Sequence, residues 1–315
     1  MRARAGGGSR AHRGVRTLLR RRRVFSAAGL GLVLLVGGGA SNGATGVRDM
    51  LGREVTLAAP PARIVSLVPS VTEILFALGA DGRVVGVTDY CDFPPAARQK
   101  PSVGWMVSPS LETIVTLKPD LVIATDEGTR EETFTQVKRL GVPLFLVHAH
   151  RVGDVLDVVR RLGTLTEREA AARALVASIE GRIETLRRAV APHRRPRVLY
   201  VVWPDPLIVP ARDAIVTELI QIAGGESVTA GDGEAYPRFS LEAAIARDPE
   251  VIILATHGAG TGPVSREKIE RFTNLAAVRS GRVHTVDGNL LHRYGPRITD
   301  GLEQLARAIH PEAFR

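Results

Sequence analysis

A glycine-rich segment is the sequence feature that most resembles part of an enzyme. Gly258–Gly262 (GAGTG) follows a predicted strand, and a glycine-rich turn after a strand can cradle phosphate. Its spacing is GxGxG, Pro263 follows it, and no strand ending in an acidic residue lies about 20 residues further on. We therefore interpret the segment as an ordinary loop, and a nucleotide-dependent enzyme remains the alternative.

Two histidines offer a second possibility for chemistry. His148 and His150 end a predicted strand, where side chains two residues apart share a face and could bind one metal ion. Two ligands rarely suffice, and the sequence identifies no third, so we predict a polar strand end and no metal site. After residue 44 the sequence contains no GxSxG, HExxH, CxxC or Walker A motif, and the single GxSxG match, Gly39–Gly43, lies in a small-residue stretch near the N-terminus. We predict a protein that is not an enzyme and needs no cofactor.

The few aromatic residues have informative positions. Tyr90 and Trp203 follow predicted strands, while Trp105 and Tyr236 lie in equivalent loops before two predicted helices. Ligands of parallel α/β proteins bind outside the carboxyl ends of the strands. We therefore expect these four side chains to surround a binding cleft. The alternative is that each ring packs at the edge of its own core.

Two glutamates occupy matching positions. Glu112 and Glu242 each follow, by two residues, a serine that is predicted to cap a helix, Ser110 or Ser240. The helix dipole favours an acidic residue there by ~0.3–1 kcal/mol, which could explain both. The functional interpretation is a pair of surface charges that meet basic residues of a partner.

Short apolar segments alternate with helical patterns and must position these residues. The segments are Arg63–Val68, Arg83–Thr88, Asp120–Thr125, Val142–His148, Arg197–Val202, Glu250–Thr256 and Arg282–Asp287. They are rich in Val and Ile, which predicts α/β units with largely parallel sheets. Val47–Leu57 is predicted to form a preceding hairpin with Leu51-Gly52 at its turn.

A long helix is predicted in the middle of the chain. Thr166 and Glu169 have the spacing of a capping box, apolar residues recur at intervals of three and four, and Pro192 follows Ala191. A helix over residues 166–191 would be ~39 Å long. That length suits a connection between two domains.

The two halves of the chain repeat one another. Val71–Leu75 (VTEIL) and Val216–Ile220 (VTELI) each follow the first strand of a half. Ser-Leu-Glu at 110–112 precedes Pro119-Asp120, and the same tripeptide at 240–242 precedes Pro249-Glu250. Two matches in the same order indicate duplicated architecture, although chance could supply one of them.

The net charge of +9 comes from the N-terminal segment. Residues 1–40 hold nine arginines and no acidic residue, and subtracting these nine leaves the remaining chain balanced. This distribution excludes a basic surface for nucleic acid. Arginines, the apolar run Val24–Val36 and a small-residue stretch are typical of a secretory signal. We predict a signal peptide over residues 1–44 and a periplasmic mature protein.

One segment near the start of the mature chain resembles a known family. Asp49–Leu57 (DxxGRxVxL), followed by Pro61–Leu67 (PxRIVSL), is similar to the start of substrate-binding proteins of ABC importers for cobalamin, haem and iron-siderophores. The resemblance implies two Rossmann-like lobes with mostly parallel sheets, joined by one long backbone helix. The lobes would be residues 45–165 and 192–315. It also implies a monomer that serves an ABC permease dimer with its ATPase subunits.

Three further segments resemble ligand-contacting loops of the cobalamin-binding members. They are Asp89–Pro95 (DYCDFPP), Tyr236–Glu242 (YPRFSLE) and Asn289–Ile298 (NLLHRYGPRI). Tyr236 and Asn289 stand where those members have Trp and Asp. The resemblance implies that Tyr90, Trp105, Trp203 and Tyr236 cover the faces of a corrinoid. Asn289 and Arg293 would then bond its polar periphery.

The family resemblance also implies roles for the paired glutamates. In the family, glutamates that match Glu112 and Glu242 dock onto arginines of the permease. This motif is shared with siderophore importers, so it supports an importer without selecting a ligand. Cobalamin is expected as the transported ligand, and haem or a ferric siderophore is the alternative.

Overall fold

Two parallel sheets form the frame of the protein in the computed structural model, which describes residues 45–127, 129–256 and 271–315. The strands, in chain order, are β1 (Thr45–Arg48), β2 (Glu54–Leu57), β3 (Ile64–Ser66), β4 (Val84–Val87), β5 (Leu121–Thr125), β6 (Leu144–Val147), β7 (Arg197–Val201), β8 (Trp203–Pro204), β9 (Leu207–Ile208), β10 (Glu226–Ser227), β11 (Val251–Thr256) and β12 (Val283–Asp287). The helices are α1 (Pro69–Ala77), α2 (Leu111–Thr116), α3 (Glu131–Arg139), α4 (Val152–Leu165), α5 (Glu169–Val190), α6 (Ile215–Ile222), α7 (Leu241–Ala246), α8 (Ala276–Arg279), α9 (Gly288–His292) and α10 (Ile298–Ile309). The predicted leader, residues 1–44, and the segment Gly258–Gly262 lie outside the described residues.

The two sheets have the same strand order. The first is β4-β3-β5-β6 and the second is β10-β7-β11-β12, with every neighbouring pair parallel. In each sheet the first strand lies second from the edge, beside the second and third strands of its half. The prediction of an α/β fold with mostly parallel sheets is confirmed. All seven predicted sheet strands are present, whereas three two-residue strands of the described chain, β8, β9 and β10, were not predicted.

A hairpin and a short two-stranded ribbon accompany the sheets. Strands β1 and β2 pair in antiparallel fashion, and the predicted turn contains Gly52 with a positive φ of 77°. Asp49 fastens this hairpin to the first sheet, since its carboxylate accepts a hydrogen bond from the backbone N–H of Leu146 at 3.4 Å. Strands β8 and β9 form the second ribbon. No helix in the described part of the chain is both long and apolar enough to cross a bilayer.

The repeated proline-acid pair fastens the first strand of each sheet. Asp120 accepts a hydrogen bond from the backbone N–H of Arg63 at 2.9 Å, and Glu250 accepts one from the backbone N–H of Arg197 at 3.0 Å. The two arginine side chains also donate hydrogen bonds to backbone carbonyls that closely precede the proline of each pair, namely those of Leu117 and Asp248. The sequence repeat therefore encodes a repeated structural contact.

Helix α5 follows the first sheet in sequence and precedes the second. Its 22 residues span about 33 Å, and its buried side chains recur at spacings of three and four. The predicted capping box is wrong. Thr166 instead ends α4, where its hydroxyl donates to the carbonyl of Leu162 at 2.7 Å, and Glu167 has a positive φ of 55°. A tight turn between two helices therefore occupies the predicted helix start.

One hydrophobic core lies between the two sheets. It includes side chains from β6, α4, α5, α6 and α10, for example Phe145, Leu162, Ile183, Leu219 and Leu305. The opposite face of each sheet has its own smaller core, covered by α2 and α3 in the first half and by α7 and α8 in the second. We call residues 45–165 the N-terminal lobe and residues 192–315 the C-terminal lobe.

The repeated Val-Thr-Glu motif supplies two contacts between the lobes. Glu73 on α1 is 4% exposed and accepts two hydrogen bonds from Arg297 at 2.9 and 2.5 Å. The Arg297 guanidinium also lies 3.9 Å from the centre of the Phe93 ring, which adds a cation–π contact. In the other direction, Glu218 on α6 accepts a hydrogen bond from the backbone N–H of Val152 at 2.8 Å. Equivalent glutamates thus reach across the same interface.

Glu73→Ala is expected to lower the free energy of unfolding by about 3 kcal/mol, because it leaves a largely buried guanidinium without its partner. This loss is at the lower end for buried pairs, since 21% of the Arg297 side chain is exposed. Urea denaturation checks this value. The control Glu180→Ala removes an exposed partner of Arg160 and should cost less than about 1 kcal/mol. Equal losses in both variants would contradict the prediction.

Glu250 should make stability depend on acid pH. A hydrogen bond from Arg194, opposed by desolvation and helped by the backbone N–H of Arg197, lowers the pKa of Glu250 to about 2. Because the pKa is lower in the folded chain, this carboxylate stabilises the fold above about pH 4.5, and its contribution disappears as the pH falls through about 2. Glu250→Gln should therefore be less stable than wild type at pH 7, with a smaller difference near pH 3. A difference that is the same at both pH values would count against this.

Candidate functional site

A cavity of about 680 Å³ lies at the carboxyl ends of the strands, where a parallel sheet is expected to bind ligands. We call it the cleft. In the N-terminal lobe its lining comes from the carboxyl ends of β5 and β6, the loops after β3 to β6, the start of α1 and one residue of α4, and in the C-terminal lobe from α9 and the residues after it. The lining residues are Val68, Pro69, Ser70, Tyr90, Asp92, Trp105, Met106, Val107, Thr125, Glu127, Val147, Ala149, Val158, Gly288, Asn289, His292, Arg293 and Tyr294.

Two aromatic rings form one wall of the cleft. Tyr90 and Trp105 have ring centroids 5.9 Å apart at an interplanar angle of 57°, and both rings are exposed. Their loops are joined at Asp89, whose backbone N–H donates to the carbonyl of Gly104 at 3.0 Å and whose carboxylate accepts from the hydroxyl of Ser102. These hydrogen bonds hold the two rings of the wall next to each other.

Cys91 anchors the Tyr90 loop from behind. The thiol is 3% exposed and lies 3.2 Å from the hydroxyls of both Thr72 and Thr88. Burial raises the pKa of Cys91 above its ordinary value, and hydrogen bonds from the two threonines only partly oppose this. The thiol thus stays protonated and serves the packing of the loop.

The C-terminal lobe contributes polar groups from α9. The Asp287 carboxylate caps this helix by accepting from the backbone N–H of Asn289 at 2.9 Å. Arg293 ends the same helix and forms a two-pronged ion pair with Asp92 of the N-terminal lobe. Burial alone would raise the pKa of Asp92, but the hydrogen bonds and charge of Arg293 bring it below its ordinary value. This ion pair therefore links the two sides of the cleft.

The structure brings together four of the six predicted ligand-binding residues. Tyr90, Trp105, Asn289 and Arg293 all line the cleft, whereas Trp203 and Tyr236 lie outside its lining.

Trp203 and Tyr236 lie on neighbouring segments of the C-terminal lobe. The ribbon that contains Trp203 is bridged to the Tyr236 segment through Ile208 and Arg238. The Tyr236 hydroxyl is 2.7 Å from that of Tyr294, which does line the cleft. Desolvation raises the pKa of Tyr236 to about 12, although a hydrogen bond to Tyr294 opposes it. Tyr236 thus reaches the cleft through Tyr294.

Several lining residues escaped the sequence analysis. Glu127 lies just after the end of β5, and Tyr294 lies just after α9 and next to Arg293. These positions could have identified both residues from the sequence. Burial raises the pKa of Glu127 against the opposing charge of His150. His150 lies 2.7 Å from Glu127, and His148 lies 2.7 Å from Asp126. The two histidines of the predicted polar strand end are thus each paired with a carboxylate.

The paired glutamates lie on equivalent outer helices. Ser110 caps α2 by accepting from the backbone N–H of Thr113, and Ser240 caps α7 by accepting from that of Ala243. Glu112 and Glu242 are in the first turns of these helices and are exposed, as predicted. Ser240 also donates to Glu242 at 3.0 Å. Both helices lie on the sheet faces that point away from the shared core.

A larger cavity, of about 900 Å³, lies elsewhere on the C-terminal lobe. We call it the lateral cavity. It is lined by residues around the end of α5, α6 and β10, including Arg187, His193, Gln221, Gly224 and Glu226. We take the smaller cleft as the candidate site, because among the cavities formed by the described residues it combines strand ends, exposed aromatic rings and polar groups from both lobes.

Similarity to known proteins agrees with this geometry. Residues 64–290 match the family described as periplasmic binding protein. An uncharacterised ABC transporter substrate-binding lipoprotein of Bacillus subtilis is 29% identical over 276 residues, which is 85% of this chain and 86% of the relative. The vitamin B12-binding protein of Vibrio cholerae is 28% identical over 246 residues, or 78% of this chain and 88% of the relative.

Solved structures show the same fold. The periplasmic vitamin B12-binding protein of Vibrio cholerae superposes with a TM-score of 0.70 at 25% identity, covering 81% of this chain and 99% of that one. A periplasmic haem-binding protein of Pseudomonas aeruginosa superposes with a TM-score of 0.71 at 27% identity, covering 80% and 93%. These relatives are binding proteins and not enzymes. The chain therefore belongs to the periplasmic binding protein family, in the group of ABC-importer substrate-binding proteins for cobalamin, haem and iron-siderophores.

Proposed function

We propose that this protein binds cobalamin, or a related corrinoid, in the cleft and delivers it to an ABC permease. The observation that carries the proposal is the wall formed by Tyr90 and Trp105, which lies in one cavity with Asn289 and Arg293. Exposed rings can cover the flat apolar face of a macrocycle, and polar groups can bond its edge. The cleft volume of about 680 Å³ falls in the range of small-molecule sites.

The charges of the cleft favour a corrinoid over haem. The periphery of cobalamin is fringed mainly with neutral amides, whereas haem carries two anionic propionates. Arg293 is already paired with Asp92, and Glu127 adds a second acidic group to the lining. A dianionic ligand would have to displace Asp92 to gain a cation, while amides can bond to groups that are already paired.

Haem is the second candidate ligand. The observation that favours it is the exposed phenol of Tyr90 in the cleft, because tyrosine can bind haem iron. The likeness to the haem-binding protein of Pseudomonas aeruginosa supports the same alternative. A ferric siderophore, which is commonly anionic, would meet the charge difficulty described for haem.

The remaining parts of the proposal concern delivery. Trp203 and Tyr236 would extend the contact surface beyond the cleft, on the side of the C-terminal lobe. Residues 1–44 would direct export, and the mature monomer would work in the periplasm. Glu112 and Glu242 would dock onto a permease dimer that works with ATPase subunits. The shared core between the lobes supports a cleft that changes little on binding.

Titration of the purified protein with cyanocobalamin by calorimetry should show binding to a single site. Trp105→Ala should weaken binding about tenfold or more, because truncating a central aromatic contact costs at least about 1–2 kcal/mol. Trp203→Ala is the matched control and should have a smaller effect, since Trp203 lies outside the cleft lining. No binding at micromolar cobalamin, together with binding of haem, would refute the ligand assignment.

Tyr90→Phe separates the two candidate ligands. The variant keeps the aromatic face and loses the phenol, so it should bind cobalamin with little change. If the Tyr90 phenol binds haem iron, the variant removes that iron ligand. The affinity for haem should then fall sharply, and the absorbance spectrum of bound haem should change. Loss of cobalamin binding in Tyr90→Phe would contradict the role of the ring face.

The double variant Glu112→Arg with Glu242→Arg should bind cobalamin like wild type and fail to support uptake through its permease, because both proposed docking charges are reversed. Uptake in cells and calorimetry of the purified variant test the two halves of this expectation. Glu132→Arg is a matched control, since Glu132 is an exposed first-turn glutamate of α3. Uptake that equals the control would refute the docking role.

A further inference from the structure

Three potential metal ligands lie close together in the C-terminal lobe, away from the cleft. His193 follows the end of α5, His310 follows α10, and Glu312 lies two residues further along. One ligand atom from each lies within 4.8 Å of the other two. His193 also lines the lateral cavity, so the cluster is connected to solvent on one side.

Two of the three distances within this cluster are close to those of tetrahedral coordination. Glu312 Oε1 lies 3.1 Å from Nδ1 of His310 and 3.6 Å from Nδ1 of His193. Ligands about 2.0–2.1 Å from a tetrahedral Zn²⁺ are separated from one another by about 3.3 Å. The three ligand atoms lie within 4.8 Å of one another, so a rotation of the partly exposed His193 side chain would bring all three within reach of one ion.

The orientation of the His310 ring is fixed by the backbone. Its Nε2 lies 3.1 Å from the carbonyl oxygen of Gly224, and a carbonyl can only accept, so Nε2 carries the proton. Gly224 has a positive φ of 82°, and a Cβ there would lie 2.7 Å from Nε2 of His310. The glycine thus permits this close approach. A ligand histidine commonly donates its other ring N–H to such a carbonyl.

The same hydrogen bond leaves Nδ1 of His310 facing a carboxylate. If the ring is neutral, its unprotonated Nδ1 and the Oε1 of Glu312 are two acceptors that lie 3.1 Å apart. This contact is made by a histidine that is only 2% exposed. Either a buried imidazolium or a shared cation is needed to make this contact favourable. A metal cation would in addition bind Nδ1 of His193, which lies 3.6 Å from the same carboxylate oxygen.

We propose that His193, His310 and Glu312 bind a divalent transition-metal ion of the Zn²⁺ class. Two imidazole nitrogens and one carboxylate oxygen suit Zn²⁺, whereas Mg²⁺ and Ca²⁺ prefer oxygen ligands alone. A water from the lateral cavity would complete the coordination.

Two guanidinium groups near Glu312 are already engaged elsewhere. Arg194 pairs with Glu250 at 2.7 Å, and Arg282 donates to the carbonyl of Ile309 at 2.6 Å. Their charges act on Glu312 without occupying the proposed coordination sites. They should moderate the affinity for the ion rather than exclude it.

The position of the site indicates a structural role. His193 belongs to the connection between α5 and β7, whereas His310 and Glu312 follow α10. A bound ion would join these two stretches of chain and would stabilise the folded state in proportion to its occupancy.

The test uses the purified protein without an affinity tag, after chelator treatment and dialysis. Titration with Zn²⁺ by calorimetry should show one site, and Zn²⁺ should raise the Tm. His193→Ala and Glu312→Gln should each weaken Zn²⁺ binding by about 100-fold, because loss of even an outer-shell partner costs about 10–100-fold. Both positions are at least partly exposed, so circular dichroism and the Tm without Zn²⁺ should match wild type.

His150→Ala is the matched control. It removes a histidine that also pairs with a carboxylate, in the other lobe, and it should leave Zn²⁺ affinity unchanged. Substitution with Co²⁺ should give the intense visible absorption of a tetrahedral site in wild type and in this control, and not in His193→Ala. The proposal is overturned if Zn²⁺ affinity is unchanged in His193→Ala and Glu312→Gln, or if His150→Ala alone abolishes binding.

Discussion

Burial of apolar surface between the two sheets is the constraint on which the rest of the structure depends. One core belongs to both lobes and includes side chains from α1, α4, α5, α6 and α10. Neither sheet could therefore bury its inner face without the other lobe. The cleft lies at the carboxyl ends of strands that this core holds in place. Packing in this core therefore fixes the position of the aromatic wall relative to the polar edge formed by α9. The ion pair between Asp92 and Arg293 stabilises the same arrangement.

Duplication explains which contacts are symmetric and which are not. Equivalent acids fasten the first strand of each sheet, and equivalent glutamates, Glu73 and Glu218, reach across the interface. Glu112 and Glu242 are likewise matched on the outer helices. The cleft does not share this symmetry, since the N-terminal lobe contributes four strand ends and the C-terminal lobe mainly α9. The symmetric positions thus belong to the frame and the outer faces, and the asymmetric ones belong to the proposed ligand cleft.

The frame was more predictable from the sequence than the site. Apolar runs revealed seven strands because parallel strands buried on both faces leave a continuous signal. The Thr-x-x-Glu pattern at Thr166 gave a wrong helix start, because the same residue types also occur where two helices meet at a tight turn. Tyr90 could be placed from the end of a strand and Trp105 from its loop before a predicted helix, whereas Asn289 and Arg293 depended on resemblance. The partnership of Asp92 with Arg293 joins residues 201 positions apart, and local sequence patterns carry no information about such a contact.

The shared core also bears on how a permease would recognise a loaded binding protein. A ligand can shift a conformational equilibrium only if the protein has two states that bind it differently. Two lobes that share one core offer little scope for such states, so cargo would not be reported by a change of shape. The permease would have to sense the ligand itself, or the loops at its rim. Empty protein would then compete for the same docking surface, and import would follow the occupied fraction rather than the total amount of binding protein.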